Sequence, residues 1–136
     1  MGSTGRRKDM DKKFTTAINC IDGRVQKPVA EYIQRKFGVD YVDMITEPGP
    51  NKVLAENSDT STINSLKEKV ILSVVNRKPE VIFIAAHYNC LANPTDESTQ
   101  KNQLRKAVDT ITSWKLPVKK IIALWLDQTF EPSIIS

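Results

Sequence analysis

The sequence predicts an α/β protein with a central, mainly parallel, four-stranded sheet and helices on both faces. Apolar segments of strand length alternate with longer segments whose apolar residues recur about every four positions, in the order β-α-β-α-β-α-β. The later strand-like segments are apolar almost throughout, which is typical of strands buried on both faces of a parallel sheet. Together these two observations indicate helices that pack on a sheet through right-handed crossovers.

Four segments are predicted as strands. They span residues 14–22, 41–46, 80–86 and 120–126. The third (EVIFIAA) and the fourth (KIIALWL) carry the continuous apolar pattern, and the second is shorter and more polar. For the tail at residues 127–136, the sequence predicts only packing on this subunit or on another.

Three segments are predicted as helices because their apolar residues line one face. They span residues 24–37, 60–77 and 96–114. Gly38 follows the first helix and is a suitable C-cap residue. Residues 47–59, which contain two prolines and a glycine, are predicted as a loop.

Chain length and charge define the expected domains. A chain of 136 residues can sustain one core, which we expect over residues 14–136 as a single domain. Residues 1–13 contain five basic and two acidic side chains, so they hold +3 of the net charge of +4. The rest of the chain is nearly neutral. We therefore predict a flexible basic leader over residues 1–13 and no nucleic-acid partner.

Hydropathy and cysteine content indicate the compartment. No apolar run approaches the ~20 residues that a membrane helix needs, so no membrane association is expected. The first residues lack the apolar centre of a signal peptide. Two cysteines are too few for a disulfide framework, and we expect a cytoplasmic protein with reduced thiols.

The one histidine and the two cysteines of the chain lie at the ends of predicted strands. Cys20 is near the end of the first strand, and His87 and Cys90 follow the third. Two thiolates and an imidazole are protein ligands of an open zinc site, which keeps a fourth position for water. In parallel sheets, ligands bind at the carboxyl ends of strands where the strand order reverses. If the three residues bind one Zn²⁺, the first and third strands are neighbours, which predicts the order 2-1-3-4.

Asp22 and Arg24 lie in the turn after the first strand, and two roles are open for Asp22. Beside the metal, its carboxylate would accept a hydrogen bond from a zinc-bound hydroxide and orient it. As a direct ligand, it would fill the fourth position and exclude water. A bidentate pair with Arg24 would hold the carboxylate away from the metal. We therefore predict that Asp22 and Arg24 are catalytic residues that act as a gate and as an orienting pair.

The motif Cys-x-Asp-x-Arg, followed far downstream by His-x-x-Cys, resembles the signature of the β-class carbonic anhydrases. The resemblance covers roughly residues 14–126, in a compact and divergent form. In that family the cysteines and the histidine bind zinc, and the Asp–Arg pair serves the metal-bound water. Carried onto this chain, the zinc ligands are Cys20, His87 and Cys90, and the pair is Asp22 and Arg24.

The resemblance implies an enzyme, a carbonic anhydrase-like lyase that interconverts the small molecules CO₂ and bicarbonate by means of a zinc-bound hydroxide. It also implies a homodimer or a higher homo-oligomer, because active sites of the family lie near a dimer interface. The chain departs from the family pattern at Gly23, where serine is common. It departs again at Leu91-Ala92, where two glycines often follow the second cysteine.

Other functions remain open for the same residues. A zinc-stabilised structural or partner-binding protein would keep Asp22 on the metal, and a related hydrolase would act on CS₂ or COS. A thiol redox protein would require Cys20 and Cys90 to approach closely enough for a disulfide, and it would leave Asp22, Arg24 and His87 unexplained.

Several polar residues are predicted as turn formers rather than catalytic groups. They are Glu47, Asn51, Asn89 and Asn93. The turn at residues 88–89 is required by the proposed site, because residues three apart on a continuing strand point to opposite faces. Asparagine favours such a turn.

Overall fold

The structure, a computed structural model, describes residues 11–135. Its strands are β1 (Phe14–Asn19), β2 (Tyr41–Thr46), β3 (Val81–His87), β4 (Lys120–Leu126) and β5 (Pro132–Ile135). Its α-helices are α1 (Gln26–Phe37), α2 (Pro50–Glu56), α3 (Thr60–Arg77) and α4 (Glu97–Thr112). Most of the predicted leader, residues 1–10, lies outside the described residues.

The strands form one sheet in the order β2-β1-β3-β4-β5. β1 pairs in parallel with β2 and β3, and β3 pairs in parallel with β4. The predicted order 2-1-3-4 is therefore confirmed. The expectation of four strands is corrected by β5, which pairs antiparallel with β4 from Pro132 opposite Leu126. Proline lacks an N–H donor but is tolerated as the first residue of an edge strand, which is its position here.

The helices follow the predictions closely, with one addition. α3 has the predicted bounds, and Gly38 ends α1 with a φ of 67° as the expected C-cap. The first predicted helix begins as a 3₁₀ turn at Gly23–Val25 before α1. The additional helix is α2, which lies inside the predicted loop. Pro50 is its first residue, where the fixed φ of proline favours a helix and the missing N–H costs little.

The direction of each crossover decides which face of the sheet each helix covers. The chain steps one way from β1 to β2, and the opposite way from β2 to β3 and from β3 to β4. Right-handed crossovers then place α1 on one face and α3 and α4 on the other. The buried residues agree, because α1 packs in one apolar cluster while α2, α3 and α4 share the second. Within residues 11–135, no helix combines the length and the apolar character needed to cross a membrane.

Candidate metal centre

The candidate site lies at the carboxyl edge of the sheet, between β1 and β3. These two strands are neighbours, and the connections that leave them run in opposite directions. Such a reversal opens a crevice outside the strand ends, where ligands bind in parallel sheets. Cys20 directly follows β1, His87 is the last residue of β3, and Cys90 lies in the turn after it.

Cys20, His87 and Cys90 converge in this crevice. The two sulfur atoms are 3.9 Å apart, and the ligand atoms of all three residues lie within 4.8 Å of one another. All three residues are buried, with at most 4% of their surface exposed. In the part of the chain that the structure describes, they form the one group of His, Cys, Asp or Glu side chains with such spacing. The three residues are therefore positioned to bind a metal ion.

Hydrogen bonding fixes the tautomer of His87. Its Nδ1 lies 2.7 Å from the backbone carbonyl of Tyr88. A carbonyl oxygen only accepts, so Nδ1 carries the hydrogen and Nε2 carries the lone pair. Nε2 is buried and has no hydrogen-bond partner among the described residues. A buried polar atom without a partner is costly, and a metal ion would satisfy it.

The surroundings of the two thiols shift their pKa values in opposite directions. Burial alone would raise the pKa of Cys20. The interaction with His87 and the backbone N–H groups of Gly49 and Asp22 outweigh that effect and lower the pKa to about 7. Burial raises the pKa of Cys90, and the neighbouring Cys20 adds to that rise. Without a metal, Cys20 is therefore the thiol that ionises first.

The pKa of His87 is shifted by its burial and by its neighbours Cys20 and Tyr88. Burial would lower its pKa, but the interaction with Cys20 and the hydrogen bond to Tyr88 raise it above the usual value. In the metal-free protein, each of these two groups therefore favours the charged form of the other. A metal that needs two thiolates and a neutral imidazole would release protons when it binds.

Asp22 and Arg24 form a bidentate ion pair beside the three residues. Arg24 Nη2 donates to Asp22 Oδ2 at 2.7 Å, and Arg24 Nε donates to Asp22 Oδ1 at 3.1 Å. The backbone N–H of Arg24 also donates to Oδ1 at 2.8 Å. These bonds to Arg24 lower the pKa of Asp22 to about 2. Asp22 Oδ2 lies 3.9 Å from His87 Nε2, so the ionised carboxylate borders the cluster while its oxygens are held by Arg24.

Two neighbours of Arg24 were not identified from the sequence as parts of the site. Asn89 adopts the predicted turn with a φ of 60°, and it also accepts hydrogen bonds from Arg24 through its backbone carbonyl (3.0 Å) and its side-chain Oδ1 (3.4 Å). Phe130 places its ring 4.6 Å from the Arg24 guanidinium carbon. Phe130 belongs to the tail after β4, and no local motif in the sequence indicates that the tail returns to this edge.

A cluster of carboxamide side chains connects α2 and α4 with the segment that contains His87 and Cys90. Gln100 Nε2 donates to the backbone carbonyl of His87 at 2.8 Å. Asn51, the second residue of α2, donates to Gln100 and to Gln103 at 3.2 and 2.9 Å. Asn93, from the loop after β3, donates to Gln103 at 2.7 Å. Asn51 and Asn93 were predicted only as turn formers, because their partners on α4 are not visible in a local pattern.

Fold and site together define an α/β protein with a buried Cys₂His cluster at the strand-order reversal of a parallel sheet. Over residues 10–136 the chain matches the model of a family described as "Putative carbonic anhydrase". The match spans almost the whole chain, so the chain belongs to this family, which confirms the resemblance drawn from the motifs. Among curated proteins, no match to the chain is found.

Proposed function

We propose that this protein catalyses the reversible hydration of CO₂ to bicarbonate at a Zn²⁺ ion held by Cys20, His87 and Cys90. One observation carries the proposal: these three ligand atoms lie within 4.8 Å of one another next to a carboxylate that Arg24 holds in place. Membership of the family described as "Putative carbonic anhydrase" supports the same reaction.

The donor set fits zinc. Two soft thiolates and one imidazole are ligands that zinc binds in tetrahedral sites, and three protein ligands leave a position for water. His87 Nε2 is buried without a partner, as expected for an atom whose partner is a metal. When bound, zinc acidifies water and supplies the nucleophile that attacks the carbon of CO₂.

Asp22 is proposed to orient the attacking water. Its pKa of about 2 keeps the carboxylate ionised, and therefore an acceptor only, throughout the neutral pH range. Because Arg24 engages both carboxylate oxygens, Asp22 is held in its pair and is restrained from becoming a fourth ligand. An oxygen has two lone-pair positions, so Asp22 Oδ2 can accept from a water in addition to Arg24.

Arg24 is proposed to keep Asp22 in that position and to add positive charge to the site. Two thiolates neutralise the charge of Zn²⁺, so this cluster acidifies water less strongly than three neutral histidines would. The positive charge of the Arg24 guanidinium compensates for part of this weaker acidification of the water. The backbone N–H groups at the start of the helical segment that follows Asp22 contribute in the same direction, because a helix N-terminus carries partial positive charge.

The proton released in each turnover has no histidine to carry it. His87 is the one histidine of the chain and is assigned to the metal. We therefore propose that proton transfer to solvent runs through water and external buffer. The turnover number should accordingly rise with buffer concentration at fixed pH and ionic strength.

The experiment that tests the function is stopped-flow CO₂ hydration with zinc-loaded protein and a metal analysis of the same sample. We expect about one zinc per chain and a rate well above that of buffer. The matched control is Cys20→Ser, which should lose both zinc and activity. A wild-type protein that binds zinc but does not hydrate CO₂ would favour the non-catalytic homologue. Assaying CS₂ and COS with that sample would test the related hydrolase.

A homodimer or higher homo-oligomer in the cytoplasm completes the proposal. Three exposed apolar side chains neighbour the proposed ligands in sequence, and a second copy would cover them. They are Ile21, Tyr88 and Leu91, exposed by 58, 44 and 94%. Light scattering at two protein concentrations would determine the oligomeric state. The proposed compartment rests on the two cysteines of the sequence, which are too few for the disulfide framework of an exported protein.

A further inference from the structure

We propose that Phe130 is a positioning residue that holds Arg24 in its pair with Asp22. The inference deepens the proposed function and rests on it, because it assigns a further residue to the orienting pair of the same site. The juxtaposition that carries it is a phenylalanine in a left-handed backbone conformation, with its ring against the guanidinium of Arg24.

The ring of Phe130 lies between two parts of the site. Its centroid is 4.6 Å from the Arg24 guanidinium carbon, within the range of a cation–π interaction. The same centroid is 6.2 Å from that of the His87 ring, at an interplanar angle of 46°. Phe130 is partly buried against the apolar cluster that contains Cys20 and Cys90. One side chain therefore borders both the orienting pair and the proposed metal ligands.

The backbone of Phe130 is held in an unfavourable conformation. Its φ is 60°, which is uncommon for any residue other than glycine and a clear outlier for a bulky one. Such conformations persist where the surrounding structure imposes them, and they concentrate at functional sites. Glycine or asparagine would adopt this φ at lower cost, so a phenylalanine here indicates that its ring is needed.

The turn between β4 and β5 imposes this conformation. Asp127 Oδ1 accepts hydrogen bonds from the backbone N–H and the hydroxyl of Thr129 and from the backbone N–H of Glu131, at 2.8, 2.7 and 3.1 Å. The N–H of Phe130 donates to the carbonyl of Asp127 at 2.9 Å. With β5 paired to β4, the turn has both ends fixed and directs Phe130 back to the site.

The cation–π contact with Phe130 is one that the hydrogen-bonding partners of Arg24 cannot replace. Arg24 donates to Asp22 through Nε and Nη2, and its Nη2 also donates to the backbone carbonyl of Asn89. The Arg24 side chain remains 46% exposed, so water competes for all these in-plane hydrogen bonds. A ring centroid 4.6 Å from the guanidinium carbon restricts the movement of the Arg24 side chain, and it does so without taking a donor from Asp22.

The protein contains a matched arrangement far from the site. Arg77 Nε donates to Asp43 Oδ2 at 2.9 Å, and the Arg77 guanidinium carbon lies 3.7 Å from the ring centroid of Phe14. Phe14 is the first residue of β1, so it lies at the end of the strand opposite to the site. Phe14→Leu is therefore a control that removes the same type of contact from another Arg–Asp pair.

The test measures solvent exchange of the arginine Nε–H groups by ¹⁵N NMR on the full chain, reduced, with and without zinc. For Phe130→Leu we expect exchange at Arg24 to rise about two- to fivefold, as for loss of an exposed cation–π contact, while exchange at Arg77 is unchanged. Phe14→Leu should give the reverse, and Phe130→Tyr should behave as wild type. Unchanged exchange at Arg24 in Phe130→Leu, or an equal rise at both arginines, would overturn the proposal.

Activity provides a second, independent measurement. Phe130→Leu should lower kcat/KM by a similar two- to fivefold factor, and in an Arg24→Ala background it should cause no further loss. Additive losses would overturn the proposal, because Phe130 would then act without Arg24. If the wild-type protein does not hydrate CO₂, the proposed function fails, but the exchange measurement still decides whether Phe130 orders Arg24.

Discussion

Gly49→Ala should destabilise the protein and weaken metal binding through a single methyl group. Gly49 has a φ of 53°, where a residue with a Cβ costs about 1–2 kcal/mol. The added Cβ would also lie 3.3 Å from the Cβ of Asn93, which is closer than an ordinary contact. For a chain of this length, the free energy lost corresponds to a melting temperature about 3–8 °C lower.

The same substitution should affect the proposed metal site, because the backbone N–H of Gly49 is one of the groups that lower the pKa of Cys20. If the loop moves to accommodate the Cβ, that N–H moves away from the sulfur, and the thiolate is less available at neutral pH. We therefore expect weaker zinc binding in a competition titration with a chromogenic chelator, along with the lower melting temperature from circular dichroism.

Gly23→Ala is the matched control for Gly49→Ala. Gly23 also lies beside the site, but its φ is not positive and no atom outside its chain neighbours lies within 4 Å of the added Cβ. We expect its melting temperature to equal that of the wild type. If Gly49→Ala melts with the wild type as well, the backbone at residue 49 is not confined to the left-handed region and the reasoning fails.

Three further predictions address the orienting pair, the carboxamide cluster and a helix cap. Asp22→Asn should keep about one zinc per chain yet lower the stopped-flow rate of CO₂ hydration about 10- to 100-fold, because it removes the charge that Arg24 holds; an unchanged rate would contradict the assigned role. Gln100→Met should lower the free energy of unfolding in urea by about 1–3 kcal/mol, because the buried carbonyl of His87 loses its donor; an unchanged midpoint would argue against it. Hydrogen bonds from Thr62 lower the pKa of Asp59 below its usual value of 3.8. Its carboxylate therefore stabilises the fold fully above that value and loses the effect as the pH falls through the lowered pKa. In acid, the wild type should therefore lose more stability than Asp59→Asn, which retains a capping oxygen; equal losses in urea titrations at pH 5 and pH 3 would refute this.

The elements that could be predicted from the sequence are those with enough residues to show a period. α3 spans 18 residues with a continuous apolar face, and both of its predicted bounds are confirmed. α2 has seven residues and begins at the second proline of a Pro-Gly-Pro segment. These turn-forming residues indicated a loop, although the segment is a helix that buries Leu54. β5 has four residues, and its pairing depends on β4 rather than on a pattern of its own.

In the candidate site, residues that form a local motif could be predicted, and residues whose partners are distant in sequence could not. Cys20, Asp22 and Arg24 are close in sequence, and their chemical types are informative where they stand at a strand end. Asn89 reaches Arg24 across 65 positions of the chain, and its amide is equally typical of a turn. Gln100 contacts a backbone carbonyl, which any sequence provides. Residues whose role depends on a distant partner of ordinary type could not be predicted from one sequence.

The left-handed backbone positions of residues 11–135 fall into two groups, and the division supports the assigned site. Four lie just beyond the C-terminal ends of helices, where such a conformation is common: Gly38, Asn57, Lys78 and Lys115. The other three converge on the carboxyl edge of the sheet, and each supplies an atom to the site. Gly49 provides an N–H for the Cys20 sulfur, Asn89 provides acceptors for Arg24, and Phe130 provides the ring. Asn89 and Phe130 adopt this conformation away from any helix end, and the side chains of both contact Arg24.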